Sequence, residues 1–253
     1  MNEDNLNQIK VVDSHAHLDE LKDLTDVLIK AKESGVIGIV AVGTGIESNK
    51  KMIQIAKENP KFVYPAIGYH PWEIKEEEIE TNLSWIKENI HDAIALGEIG
   101  LDYKIKLKKE IQIYVFERLL EVACEFDKPV ILHCRFSHQK VFEIVKMKGI
   151  NRVLFHWYSG PLNLLDQIIE AGYFISATPA LAYSLPHQEA IKRTPIEKIL
   201  LETDSPVSYQ GKEASPKDVL ITLSYVSRLK GLDIFSVSKR TTANASQFFN
   251  INF

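Results

Sequence analysis

Short runs of β-branched and apolar residues recur along this chain, and a longer segment of helical period separates each from the next. Eight such runs can be counted, at residues 10–14, 36–42, 62–67, 93–97, 129–132, 152–155, 173–177 and 198–201. Alternation of this kind is what a parallel sheet requires, because parallel neighbours are joined only by a crossover long enough to hold a helix. Eight units in 253 residues match the α/β class and within it the (β/α)8 barrel of TIM type, one sheet closed on itself inside a ring of helices. The helical segments carry their own punctuation: Gly35 ends the first, Pro60 the second, and Pro129 closes the long one that begins near Leu107. In that long segment Phe116, Leu119, Leu120 and Ala123 keep the spacing of a helix laid on a sheet. Two more helices are expected at 216–229 and 236–249. No repeat, low-complexity tract or linker interrupts the pattern, so residues 1–253 read as a single domain.

With 45% apolar and 25% charged residues the chain can bury a sizeable core. Residues 1–10 are polar and Asn-rich, without the basic and then apolar run of a secretory signal, and the apolar stretch 36–42 is far too short to span a bilayer. A cytoplasmic location is therefore expected, with no membrane contact and no obligate protein partner in evidence. Two cysteines, Cys124 and Cys134, supply neither a disulfide framework nor a Cys-ligated zinc site. The net charge of −4 argues against a broad basic face for nucleic acid, but not against a site that grips a few phosphates locally.

In parallel barrels the functional side chains project from the carboxyl ends of the strands. Read to their ends, the runs give DSHAH, PAIGYH, LGEIGLD, VILHC, VLFHW and LLETD, and five of the eight histidines fall there. His15 and His17, two apart in an extended segment, leave the same face and can share one ion. Such a pair is more often two ordinary histidines; its position beside the other strand ends is what points to metal. Asp13 lies on the same face, either fixing the tautomer of a ligand histidine or making a core hydrogen bond. Glu98 is carried into an apolar barrel mouth, where a carboxylate needs a cation. A salt bridge to Arg135 or Lys104 would serve; a carboxylate bridging two metals is the preferred reading. His133 and His156 end successive runs and complete the second ion's ligands. Asp204 is expected to coordinate and to accept a proton, so that Asp204 and Glu98 are the catalytic pair. Glu202, two residues before Asp204, either supports a ligand from behind or forms a buried ion pair.

Two divalent ions, magnesium, manganese or zinc, would suit hydrolysis. Such an ion lowers the pKa of bound water from about 15.7 to roughly 7, and a pair can clamp the attacking and leaving oxygens of a phosphoryl transfer. No Gly-rich phosphate loop is present, and Ser14 and Ser205 lack a nucleophile pattern. His70, Arg135 and Tyr103 are the substrate-binding candidates, the first two for phosphate oxygens, although His70 has a loop-packing alternative. Tyr103, Trp72 and Trp157 at the rim can stack on bases or simply pack. Lys104, Lys106, Lys108 and Lys109 read as a solvated helix start, with attraction of a strand as the lesser alternative. His91, His138 and His187 are assigned only to loops or the surface.

At these residues the sequence resembles the TatD family of metal-dependent deoxyribonucleases, within the amidohydrolase-type barrels. The matching blocks are DSHAHLDE at 13–20, GYHPWE at 68–73, GEIGLDY at 97–103, HCR at 133–135, HWYSG at 156–160, LLETDSP at 200–206 and TTANASQFF at 241–249. The resemblance implies that His15, His17, Glu98 and Asp204 surround one ion and Glu98, His133 and His156 the other. It also implies a DNA substrate, in several members cut from the 3′ end of single strands, with magnesium or manganese in support. Many amidohydrolase relatives carry a modified lysine on the fourth strand; Glu98 there favours the nuclease-like branch. Two stretches depart from the family pattern. Phe136, Ser137 and His138 follow HCR where an acidic and a small residue are usual, and QGKEASP at 210–216 lacks the usual Asn-Glu-Pro. Both are expected in rim loops, where substrates are selected. Hydrolysis of another bond, an aminoacyl-tRNA ester or a cyclic amide, is the first alternative, and a metal-containing binding scaffold the second.

Overall fold

The structure, a computed structural model, describes residues 9–253. The polar segment 1–8 lies outside the described residues. Eight strands form one parallel sheet in chain order: β1 Val11–Ala16, β2 Val36–Val42, β3 Val63–Ile67, β4 Ala95–Asp102, β5 Val130–Arg135, β6 Val153–Phe155, β7 Phe174–Ala177 and β8 Ile199–Leu201. The intervening helices are α1 Leu24–Glu33, α2 Ile46–Glu58, α3 Ile79–Asn89, α4 Lys109–Glu125, α5 His138–Lys148, α6 Leu162–Glu170 and α7 Leu185–Arg193, and α8 Val219–Lys230 and α9 Ile234–Phe249 follow the last strand. This is a (β/α)8 barrel. No helix among the described residues is long and apolar enough to cross a membrane.

The barrel closes just beyond the end of β8. The His17 amide donates to the Ser205 carbonyl at 2.7 Å and the Asp204 amide to the His15 carbonyl at 2.9 Å. Asp13 reinforces this seam: its carboxylate accepts the Thr203 amide at 2.9 Å and the Thr203 hydroxyl at 2.6 Å. The closing contacts therefore lie among the residues that also carry the candidate site.

Alternation along each strand sorts side chains into two layers. In β2, Ile39 and Ala41 face the helices, while Val40 and Val42 join Val12, Ala66, Ile131, Leu154 and Leu200 inside the barrel. Full burial of each such aliphatic side chain contributes about 1.5–3 kcal/mol. Phe248 and Phe249 of α9 pack with this interior group, as does Phe253, whose ring stands 2.4 Å from where a Cβ on Gly38 would be. With that end filled by apolar side chains, polar groups can gather only at the opposite, carboxyl end. On α4 the stripe of Phe116, Leu119, Leu120 and Ala123 is buried against the sheet. The stretch after β8 holds a two-stranded hairpin, β9 Ser208–Tyr209 with β10 Lys212–Glu213, before a 3-10 turn at Pro216–Asp218 leads into α8.

Two strands run past their apolar stretches. β4 continues to Asp102 and β5 to Arg135, in register Gly100 with His133 and Asp102 with Arg135. Main-chain pairing there holds polar residues in extended form. Gly100 makes the approach possible: a Cβ there would stand 2.1 Å from the His133 carbonyl oxygen, and its φ of +148° is rare for other residues.

Candidate metal centre

The carboxyl ends of β1, β4, β5, β6 and β8 bring His15, His17, Glu98, His133, His156 and Asp204 into one cluster. Glu98 is buried at its centre, and its two oxygens face different partners. Oε2 lies 3.3 Å from His15 Nε2 and 3.6 Å from His17 Nε2; Asp204 Oδ1 lies 3.6 and 3.4 Å from the same nitrogens, which are 3.2 Å apart. Ligands at about 2.0–2.1 Å from a tetrahedral ion stand about 3.3–3.4 Å from one another. These five contacts, 3.2 to 3.6 Å, scatter around that spacing. Oε1 of Glu98 faces His133 Nδ1 at 2.7 Å and His156 Nε2 at 2.9 Å. Around this carboxylate the donor sets close enough to share an ion are His15 with Glu98 and His156, and His70 with Glu98 and His133.

Charge makes the same demand. Asp13, Glu98, Asp102, Glu202 and Asp204 are all buried around this mouth. Among the described residues, their only ion-pair partners are histidines. Neither Arg135 nor Lys104 pairs with Glu98. Burial alone would raise the Glu98 carboxyl, but the His156 and His70 rings and the hydrogen bonds from His133 and His15 hold it well below its usual range. Burial would likewise lower His17, yet Asp204 and Glu98 beside it raise it to about 9. His156 is pushed up in the same way by Glu98 and Glu202. The carboxylates thus draw positive charge into the cluster, and the histidine protons that supply it stand where divalent ions would bind.

The far ring nitrogens fix which atoms face inward. His17 Nδ1–H donates to the Val42 carbonyl at 2.9 Å, leaving Nε2 for an ion. His156 Nδ1 meets Glu202 Oε1 at 3.2 Å, and His133 Nε2 meets Asp102 Oδ2 at 3.3 Å. Each of these two histidines therefore stands between Glu98 and an outer carboxylate. His15 Nδ1 is buried without a partner among the described residues, its ring instead stacked on His156 at 4.4 Å. Asp13 makes no bond to a histidine ring; it contacts Thr203 and, at 3.4 Å, the His15 amide, the core hydrogen-bonding arrangement of the two weighed from sequence.

His70 also approaches Glu98 Oε1, at 3.6 Å. Its Nδ1 accepts the Trp72 amide at 3.1 Å, and burial lowers its pKa to about 3, so the neutral ring carries its proton on Nε2. With that tautomer His70 is a donor toward the cleft, although its ring also stands with Glu98 and His133 in a set close enough to hold an ion. Arg135 lines the same cleft of about 550 Å³, half-buried and with no side-chain partner among the described residues. Tyr103 is not among the lining residues; it packs on the core with the Lys109 ammonium 4.3 Å from its ring. Trp72 and Trp157 do line the cleft. His187 is buried, donating to the Tyr158 carbonyl and accepting the Thr178 amide, and serves the packing of α7.

Asp102 was not singled out from sequence. Ending the fourth strand at residue 97 hid the signal, since 98, 100 and 102 share one face of a longer strand. Burial would raise its carboxyl, but hydrogen bonds from His133, Trp72 and the Lys104 amide hold it far below the usual range.

Comparisons with known proteins place the chain among metal-dependent hydrolases of one family. Residues 12–250 match the family model described as TatD related DNase. A putative deoxyribonuclease, tatdn3 of Danio rerio, is 32% identical over 94% of this chain and 97% of its own. An uncharacterized metal-dependent hydrolase of Methanocaldococcus jannaschii is 30% identical over 96% of this chain and 98% of its own. The crystal structure of the TatD homolog YJJV from Escherichia coli K12 superposes with a TM-score of 0.87 at 25% identity, covering 97% of this chain and all of that one.

Proposed function

The chain belongs to the family of TatD-related DNases, as a metal-dependent hydrolase acting on ester bonds, and from that premise we propose that it cuts phosphodiester bonds of single-stranded DNA at a two-ion centre. The observation that carries this reading is the divided Glu98 carboxylate, one oxygen toward His15 and His17 and the other toward His133 and His156, in a cleft also lined by Arg135, which has no side-chain partner among the described residues. His15, His17, Glu98 and Asp204 would hold one ion, and Glu98, His133 and His156 the other, with magnesium, manganese and zinc as the candidates. Divalent ions bound there supply activated water at neutral pH and offset the charge on phosphate oxygens.

The chain's own side chains divide the remaining work. The Arg135 guanidinium, free of carboxylate partners among the described residues, is suited to two non-bridging phosphate oxygens. His70 presents Nε2–H to the same cleft and can donate to one of the same two oxygens. Asp204 uses Oδ1 toward the histidines, and its Oδ2 makes no hydrogen bond among the described residues. The surrounding histidines lower its pKa against burial, so it is ionised at neutral pH and Oδ2 takes the proton from the attacking water. Glu202 and Asp102 keep His156 and His133 oriented.

Purified protein loaded in turn with magnesium, manganese and zinc should release nucleotides from a labelled single strand and contain two equivalents of metal per chain. Labels at either end read polarity, for which 3′ attack is expected. Faster hydrolysis of an aminoacyl-tRNA ester or a cyclic amide, with DNA left intact, would overturn the reading.

A further inference from the structure

Trp72 is the one tryptophan with most of its surface open, 58% exposed, yet it is pinned at two points. Its indole Nε1–H donates to Asp102 Oδ2 at 2.6 Å, and its main-chain amide donates to His70 Nδ1. Asp102 is itself immobilised. Its Oδ1 accepts the Lys104 amide at 2.8 Å, and the buried Gln112 side chain bonds both its amide and its carbonyl, at 2.8 and 3.0 Å. The ring stands nearly perpendicular to those of His70 and His133, with centroids 4.9 and 6.1 Å away. An exposed indole that served only packing would lie down on the apolar surface beside it. This one lines the cleft and is held there by a buried carboxylate that also touches His133.

Resting on the deoxyribonuclease reading, we propose that Trp72 is the stacking platform for the nucleobase beside the cut phosphodiester, and that Asp102 is the positioning residue that holds it. Trp72 lines the same cleft as Arg135 and Glu98, so a phosphate-binding fork and an aromatic ring border one space. Stacking on indole is tolerant of base identity because every base has a π-face. It does require a base face released from its neighbour, which selects unpaired strand ends over internal paired positions. Pre-fixing the ring removes the ordering cost that a mobile tryptophan would impose on binding.

The test uses the metal-loaded protein and two ligands with the same phosphate, thymidine 5′-monophosphate and 2-deoxyribose 5-phosphate, titrated against indole N–H resonances. Wild-type protein should bind the nucleotide roughly 5- to 150-fold more tightly than the sugar phosphate, the span of one base stack. Trp72→Ala should erase that ratio and Trp72→Phe keep most of it. Asp102→Ala should make the Trp72 indole proton exchange rapidly, and Asp102→Asn, which retains an acceptor oxygen, should restore its protection. A role for Asp102 confined to His133 would leave that resonance unmoved. A ratio unchanged in Trp72→Ala overturns the platform while DNA cleavage by the wild type stands. A preserved ratio in a protein that cleaves no DNA sinks the deoxyribonuclease reading and leaves the base subsite in place.

Discussion

Asp204 and Glu202 leave the end of β8 two residues apart, and their surroundings give them different tasks. Glu202 Oε1 is occupied by His156 Nδ1 at 3.2 Å and the Trp157 amide at 3.1 Å and its Oε2 is buried, whereas Asp204 lines the cleft and its Oδ2 makes no hydrogen bond among the described residues. The Asp204 backbone sits at φ +51°, a conformation that Asp tolerates better than most residues. Asp204→Asn keeps the shape and one ligand oxygen but cannot accept a proton at neutral pH. With metal saturating, its turnover on a short labelled strand should fall by about 10²- to 10⁴-fold, the usual effect of losing a general base. Glu202→Gln still accepts one hydrogen bond and should lose clearly less. If steady-state rates show Glu202→Gln to be the more damaged variant, the two roles are exchanged.

At the scale of elements, β4 joins the fold to the chemistry. Its apolar start pairs with β3 and β5, and its polar end carries Glu98 and Asp102 into the barrel mouth because Gly100 lets β5 come close. Gly100→Ala would place a methyl carbon 2.1 Å from the His133 carbonyl at a φ of +148°, so one of the two strands must move. Backbone strain of this kind costs on the order of 1–3 kcal/mol or more. In a domain of this size each kcal/mol lowers Tm by roughly 2–4 °C. Thermal unfolding should therefore show a loss of several degrees, and elemental analysis a shortfall in metal, since His133 moves with β5. An unchanged Tm with full metal content would show that the strand contact yields freely. The same strand shows how far the sequence can be read. Apolar alternation places all eight strands and, through their ends, the residues that gather in the cluster, because hydropathy reports the buried layers directly. It fails where pairing carries a strand beyond its apolar stretch: stopping at residue 97 left Asp102 unread. Tyr103 meanwhile looked like a rim residue, although it packs on the core. Nor can spacing tell whether a histidine turns Nδ1 or Nε2 inward, since that follows from partners as remote in the chain as Val42 for His17 and Glu202 for His156.

For the whole molecule, the question is how a chain with a net charge of −4 holds a polyanion. The cleft contains Glu20 and Glu73 at its rim, and among the described residues Arg135 is the only lysine or arginine in its lining. Attraction must therefore be local, from Arg135, the ions and base stacking, unless the exposed Lys104, Lys106, Lys108 and Lys109 after β4 also reach the strand. Salt separates these cases, because each phosphate neutralised on a single strand contributes about 0.7 to the slope of log affinity against log salt. At fixed saturating metal, the KM of a short single strand should rise with potassium chloride, and Arg135→Ala should flatten that rise by about 0.7. Replacing all four lysines with alanine should leave the slope unchanged, consistent with a solvated helix start. Were they phosphate contacts, their joint loss would flatten it by about 2.8. That result would give this acidic protein a basic track leading to its cleft, and the affinity for DNA would belong to the β4–α4 loop as much as to the centre itself.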